Sequence, residues 1–163
     1  MIRQANIQDL NSIMKVIQEA QHRMKQSGMT QWQNNYPNST IIDKDIQEHA
    51  VYVYEIDQEI VGTMSVFSFD PVYETIEGTW LNNNTYKVIH RIAISDAYKN
   101  QKLAETMIQF VFDHFKIRDI RIDTHPKNSP MISSLIRQGF KMCGIIHVTT
   151  DTDSKRYAYH KHI

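Results

Sequence analysis

The side chains best suited to chemistry in this 163-residue sequence are two histidines, one glutamate and a turn carrying two lysines. His90 lies in the apolar run Val88-Ile89-His90-Arg91-Ile92-Ala93-Ile94, where simple alternation gives it the same strand parity as Ile92 and Ile94. An imidazole with an ordinary pKa of about 6.5 exchanges protons near neutrality, so His90 is a candidate general base. The competing reading is a hydrogen-bonded core histidine. Glu77 stands in the segment before the Asn82-Asn83-Asn84 turn and would hold a cationic group or take a proton through water, unless it is a solvated edge carboxylate. His125 follows the run Ile120–Thr124 and could line a gap beside the central strand, although a purely structural place is the competing reading.

Beyond Ile94 the chain passes through a short polar turn, with Tyr98 expected to pack beneath it, to Lys99-Asn100-Gln101-Lys102-Leu103-Ala104, where a helix opens. The first amides of a helix lack internal partners and carry the positive end of its dipole. With Lys99 and Lys102 beside them, they form an anion cradle whose natural guest bears phosphate. Gln31, Trp32, Gln33 and Tyr36 make a polar-aromatic loop of the kind that borders binding sites, or else packs its rings on a sheet.

These residues need a scaffold, and the hydrophobic pattern supplies one. Ile2–Ala5 reads as a first strand. Asn6 caps the following helix, with Asp9 completing a variant capping box, and Ile7, Leu10, Ile13, Met14 and Ile17 recur at helical spacing until Ser27-Gly28. Residues 29–40 read as loop and Asp43–His49 as a short helix. Val51–Ile56 and Ile60–Phe69 form a hairpin, which Asp70-Pro71 ends; Glu74–Leu81 is strand or strand edge. Lys87–Ile94 is the central strand. A helical stripe runs from Leu103 to Phe115, Ile120–Thr124 is a strand, and a helix after Pro130 stops at Gly139. Met142–Val148 and Tyr157–His162 close the chain. This order predicts one α/β domain over residues 1–163, a mixed sheet of six to seven strands with about four helices on both faces.

The totals exclude several classes. Eighteen basic residues balance eighteen acidic ones, so no overall field draws the chain to nucleic acid or to a membrane. One cysteine, Cys143, rules out a disulfide framework and points to a reducing cytosol, with the thiol expected to be a packing residue. No run approaches the ~18–20 apolar residues of a membrane span. Of the eight histidines only His160 and His162 are regularly spaced, without a cysteine or carboxylate cluster, so no metal site is expected.

Two motifs carry a resemblance to the GNAT superfamily of N-acetyltransferases. The first is Lys99-Asn100-Gln101-Lys102-Leu103-Ala104 after the central strand. The second is Asn128-Ser129-Pro130-Met131 leading to Gly139-Phe140. Gln31-Trp32-Gln33, Tyr36-Pro37 and Glu77-Gly78-Thr79-Trp80-Leu81 resemble a largely uncharacterised bacterial branch. The resemblance implies acetyl-CoA as co-substrate. Its pyrophosphate would lie on residues 99–104, its pantetheine arm along the backbone of Ile92, Ala93 and Ile94, and Asn128 would help hold that arm. Trp32 and Tyr36 would border the acceptor, and a strand amide near Ile92 would receive the charge on the carbonyl oxygen. Two residues depart from the family pattern. Lys102 replaces its central glycine and is a candidate phosphate ligand. Leu135 occupies the place of a tyrosine that many relatives use to protonate the leaving thiolate.

The expected function is therefore acetyl-CoA-dependent transfer of an acetyl group to a small-molecule or peptide amine, with His90 or Glu77 taking the proton. A non-catalytic acyl-CoA-binding or regulatory domain is the alternative, and an interaction domain without ligand a third. The exposed closing strands would suit a homodimer.

Overall fold

The computed structural model describes residues 1–163. Its first element, β1 (Ile2–Gln4), leads into a 3₁₀ turn and then α1 (Leu10–Gln26). The start is set by a capping box: the Asn6 side chain accepts the Gln8 amide at 2.9 Å, and Asp9 accepts the Asn6 amide at 2.9 Å. Arg3 locks Asp9 from the other side through a bidentate pair at 2.7 and 2.9 Å. Next come α2 (Ser39–Gln47) and the strands β2 (Val51–Ile56) and β3 (Glu59–Phe67). A 3₁₀ turn at Pro71–Thr75 precedes β4 (Glu77–Gly78), and β5 (Lys87–Ile94) follows. The chain ends with α3 (Leu103–Phe115), β6 (Asp119–Thr124), α4 (Ser129–Arg137), β7 (Lys141–His147) and β8 (Lys155–His162).

The strands form one mixed sheet in the order β1-β2-β3-β5-β6-β8-β7-β4, in which only β5 and β6 run parallel. Eight strands are present rather than six or seven. The additional one is β4, two residues long, which a reading of propensity merges into a longer strand over Glu74–Leu81. Asp70 instead caps a 3₁₀ turn by accepting the Val72 amide, and Pro71 fits its first position. The second helix starts four residues before the expected Asp43, because the Asn38 side chain accepts the Ile41 amide at 3.1 Å and caps it at Ser39.

Helices cover both faces. Ile13, Val16, Ile17 and Ala20 of α1 pack with Ile42 and Ile46 of α2 over Val51 and Val53. On the opposite face Met107, Ile108, Val111 and Phe112 of α3 and Leu135 of α4 pack over Met64, Ile89, Ile120 and Ile122. Burying one such aliphatic side chain contributes roughly 1.5–3 kcal/mol. A third cluster centres on Tyr73, with Val88, Ile146 and Ala158, and takes the 3₁₀ turn onto the face that α1 covers elsewhere. No helix is long and apolar enough to cross a membrane.

Candidate functional site

The sheet opens at its centre. Strands β5 and β6 pair only through Lys87–Ile120, Val88–Arg121 and Ile89–Ile122, and beyond these they diverge. A cavity of about 340 Å³ fills the gap. Its walls include His90, Arg91 and Ile92 from β5, Asp123 and Thr124 from β6, and Asn128 from the start of α4.

A bulge decides which side chains enter it. Ser65 pairs with His90 and Thr63 with Ala93, so Arg91 and Ile92 together oppose Met64. Arg91 takes the extra residue in a left-handed conformation, φ 54°. The bulge overturns the simple alternation. Ile92 and Ile94 pack with Ile89 against the α3 face, whereas His90 and Arg91 both turn to the opposite face. His90 therefore does not share the parity of Ile92 and Ile94.

His90 lies between two carboxylates. Its Nε2 is 2.7 Å from Asp70 Oδ2, and its Nδ1 is 3.6 Å from Asp123 Oδ2. Asp123 Oδ2 also accepts the Tyr73 hydroxyl at 2.8 Å. Burial pushes the Asp70 carboxyl up, but the His90 hydrogen bond, the Val72 amide and the neighbouring positive charge outweigh it and hold it below its usual range. Tyr73 is fully buried against Asp123, and its phenol is raised well above the ordinary value by desolvation and by that carboxylate. Its hydroxyl thus remains a donor.

Arg91 reaches α2. Its Nε donates to Asp45 Oδ2 at 2.8 Å and its Nη1 to the Tyr36 hydroxyl at 2.7 Å, while Nη2 lies 2.6 Å from the same Asp45 oxygen. Tyr36 is raised by burial, which outweighs the lowering by Arg91. Across the cavity Arg156 pairs with Asp151 in a buried contact, and the Trp32 amide approaches Asp151 at 3.4 Å. Asn128 is nine-tenths buried and already engaged. Its Oδ1 caps α4 through the Met131 amide at 3.3 Å, and its Nδ2 donates to Gln31 at 3.3 Å.

The lysine turn lies outside this cavity, past the end of β5. α1 pins its approach: Arg23 pairs with Asp96 and donates to the Ile94 carbonyl at 3.0 Å, and Glu19 accepts the Asp96 amide at 2.8 Å. Asn100 (φ 67°) and Lys102 (φ 59°) are both left-handed, so Lys102 holds the conformation that glycine adopts without strain. Lys102 gives α3 no side-chain cap, and the first helical bond is Thr106 to the Lys102 carbonyl at 3.0 Å. The seven amides of residues 99–105 consequently have no hydrogen-bond acceptor in the chain. Such a row of free amides fits an anion such as pyrophosphate.

Trp32 and Tyr36 line the cavity with His90, as does Ile92, whereas Ala93, Ile94 and the turn residues Lys99, Asn100, Gln101, Lys102, Leu103 and Ala104 do not. Glu77 is also outside it. β4 pairs at the far edge of the sheet with β7, where the Glu77 carboxylate is exposed and accepts from His147 at 3.0 Å. His125 is buried away from the cavity. Its Nε2 donates to Asp153 at 2.7 Å and its Nδ1 accepts the Lys127 amide at 3.1 Å, which ties the β6–α4 turn to the β7–β8 loop. Leu135 is fully buried in the α3-side core. His160 and His162 both turn to Asp119, each at 3.0 Å. Sequence reasoning missed Asp70, Asp123 and Arg91. The Asp-Pro pair at Asp70 reads as a strand ending, and a carboxylate within β6 gives no local sign of the partner it meets across the sheet.

Comparison with known proteins gives a consistent picture. The profile of the acetyltransferase (GNAT) family matches residues 14–140. A GNAT-family acetyltransferase from Streptococcus agalactiae is 34% identical, superimposes with a TM-score of 0.92, and is matched over 100% of this chain and 95% of its own. A putative acetyltransferase from Staphylococcus aureus is 28% identical with a TM-score of 0.71, over 99% and 98% of the two chains. The PaiA N-acetyltransferase of Thermoplasma acidophilum, solved in complex with coenzyme A, shares the fold at 16% identity and a TM-score of 0.72, over 100% and 98% of the two chains. No curated protein sequence matches.

Proposed function

The chain belongs to the GNAT acetyltransferase family, and from that premise we propose that it transfers the acetyl group of acetyl-CoA directly to an amine of a small molecule or peptide. One observation carries the reading: at the point where β5 and β6 part, a histidine with one nitrogen anchored by a carboxylate stands in a cavity.

The donor side is the row of free amides at residues 99–105 with Lys99 and Lys102, which take the pyrophosphate of acetyl-CoA. The backbone of Ile92, Ala93 and Ile94 on the edge facing away from β3 lines the pantetheine arm, and the diverging strands admit the thioester. A fold relative solved with coenzyme A supports this donor. Asn128 acts at this side by fixing the start of α4, since both ends of its amide are engaged.

On the acceptor side, Trp32 and Tyr36 wall the amine. Asp70 takes the Nε2 proton of His90 in hydrogen bond, which leaves the Nδ1 lone pair as the base. His90 removes a proton from the bound ammonium. The freed nitrogen then attacks the thioester carbonyl; the C–N bond forms and the C–S bond breaks. A backbone amide near Ile92 stabilises the charge on the carbonyl oxygen. The thiolate gains its proton through water, because Leu135 offers no hydroxyl. Glu77, exposed at the sheet edge, has no part in these steps.

The test is CoA thiol release over a panel of amines, with acetyl-CoA binding followed separately by thermal shift. His90→Ala should lower turnover about 10²–10⁴-fold and leave the thermal shift intact. Turnover equal to that of the unsubstituted protein removes His90 from the mechanism.

A further inference from the structure

We infer that the acceptor is an amine with no free carboxylate on the carbon that bears the reacting nitrogen, an alkylamine or carboxyl-blocked amine rather than a free amino acid. The inference rests on the acyl-transfer reading of the same cavity. It starts from the guanidinium groups that line it. Arg91 directs Nε and Nη2 at Asp45 and Nη1 at the Tyr36 hydroxyl. Arg156 directs Nη2 at Asp151 and Nη1 at the carbonyls of Asp153 and Lys155, at 2.7 and 2.9 Å. Each is matched by a buried carboxylate of its own chain, and neither presents an open fork. A site that recognises a substrate carboxylate uses such a fork, because two parallel N–H donors fit its two oxygens.

The carboxylates are not balanced in the same way. Asp70 and Asp123 flank one imidazole, at 2.7 Å from Nε2 and 3.6 Å from Nδ1. His90 brings at most one positive charge to the two of them. Asp123 gives Oδ2 to the Tyr73 hydroxyl, while its Oδ1 accepts from no group of the chain. The base therefore stands in a field of residual negative charge with the Asp123 carboxylate at its Nδ1 side. That field draws in an ammonium and sets it against His90. A carboxylate on the adjacent carbon would be carried to within a few ångströms of Asp123, where like charges repel strongly and the cavity holds no free cation to offset them. Asp123 is thus a specificity-determining residue, and exclusion of the zwitterion arises from repulsion built into the site.

The experiment compares, for alanine, leucine and phenylalanine in turn, the free amino acid, its amide and the decarboxylated amine, by CoA release with acetyl-CoA saturating. The amide matches the acid in size and lacks its charge. The amides and amines should exceed the acids in kcat/KM by about 100-fold or more. Asp123→Asn, which keeps an oxygen to accept from Tyr73, should raise KM for the amines and shrink that ratio to about 10-fold or less. Acids used as well as their amides overturn the inference while leaving the acetyltransferase reading in place. A ratio unchanged in Asp123→Asn overturns the role of Asp123. No release with any compound contradicts both the inference and the proposed function.

Discussion

Asp70 Oδ2 holds His90 Nε2 at 2.7 Å, so in the proposed transfer the nitrogen that accepts the proton is Nδ1. Asp70→Asn retains an acceptor oxygen and removes the charge. Turnover should fall about 10–100-fold with little change in the KM for the amine. Turnover equal to that of the parent chain would show that Asp70 serves the fold alone.

Lys102 sits at φ 59°, where a side chain costs roughly 1–2 kcal/mol that glycine avoids. Lys102→Gly should raise the melting temperature of the free protein by about 1–4 °C, after the extra flexibility of glycine in the unfolded chain is set against that relief. The same substitution removes an ammonium beside seven free amides, so acetyl-CoA affinity should fall at low salt. Calorimetry at two ionic strengths separates the effects. Affinity unchanged in Lys102→Gly excludes Lys102 as a phosphate ligand.

Gly78 and Gly144 approach each other across the β4–β7 pair. A Cβ on Gly144 would stand 2.3 Å from the Glu77 carbonyl oxygen, and one on Gly78 would stand 2.1 Å from that of Cys143. Both have positive φ, 147° and 157°. Gly144→Ala should therefore cost about 2 kcal/mol or more and release β4, read as a lower melting temperature and faster amide exchange at Thr79. Melting equal to that of the parent chain would contradict the close approach.

Burial lowers the imidazole of His160, and the contact with Asp119 only partly offsets this. Below its unfolded value of about 6.5 the unfolded chain binds a proton that the folded chain does not. Stability should thus decline as pH drops from about 7 towards the lowered folded value. A second decline should follow below about pH 4, as the carboxyls of Asp70 and Asp119, held low in the fold, take up protons. Denaturant titrations at several pH values read the slope, and His160→Gln should flatten the first decline. A first decline equally steep in that variant would assign it elsewhere.

Much of the scaffold is legible locally. Asn6 with Asp9, the stripe from Leu103 to Phe115 and the run Lys87–Ile94 each carry their signal within a few residues. The site is less so. Nothing in His90-Arg91-Ile92 announces a bulge, since a left-handed residue is usually marked by glycine or asparagine, and that bulge sets His90 and Arg91 on one face. The contacts that define His90 come from residues 20 and 33 positions away in the chain, through a capped turn and a neighbouring strand. Glu77 has suitable chemistry but a position set by pairing at the sheet edge.

The central claim is that the splayed strands and His90 together catalyse acyl transfer. Mass spectrometry of amine panels incubated with isotopically labelled acetyl-CoA tests it most directly, with the parent chain and His90→Ala side by side. The account predicts labelled acetamide from the parent chain and a yield rate at least about 100-fold lower from the variant, both proteins being stabilised alike by acetyl-CoA. Stabilisation of both proteins without acetamide from any amine would contradict it and identify a non-catalytic acyl-CoA-binding domain.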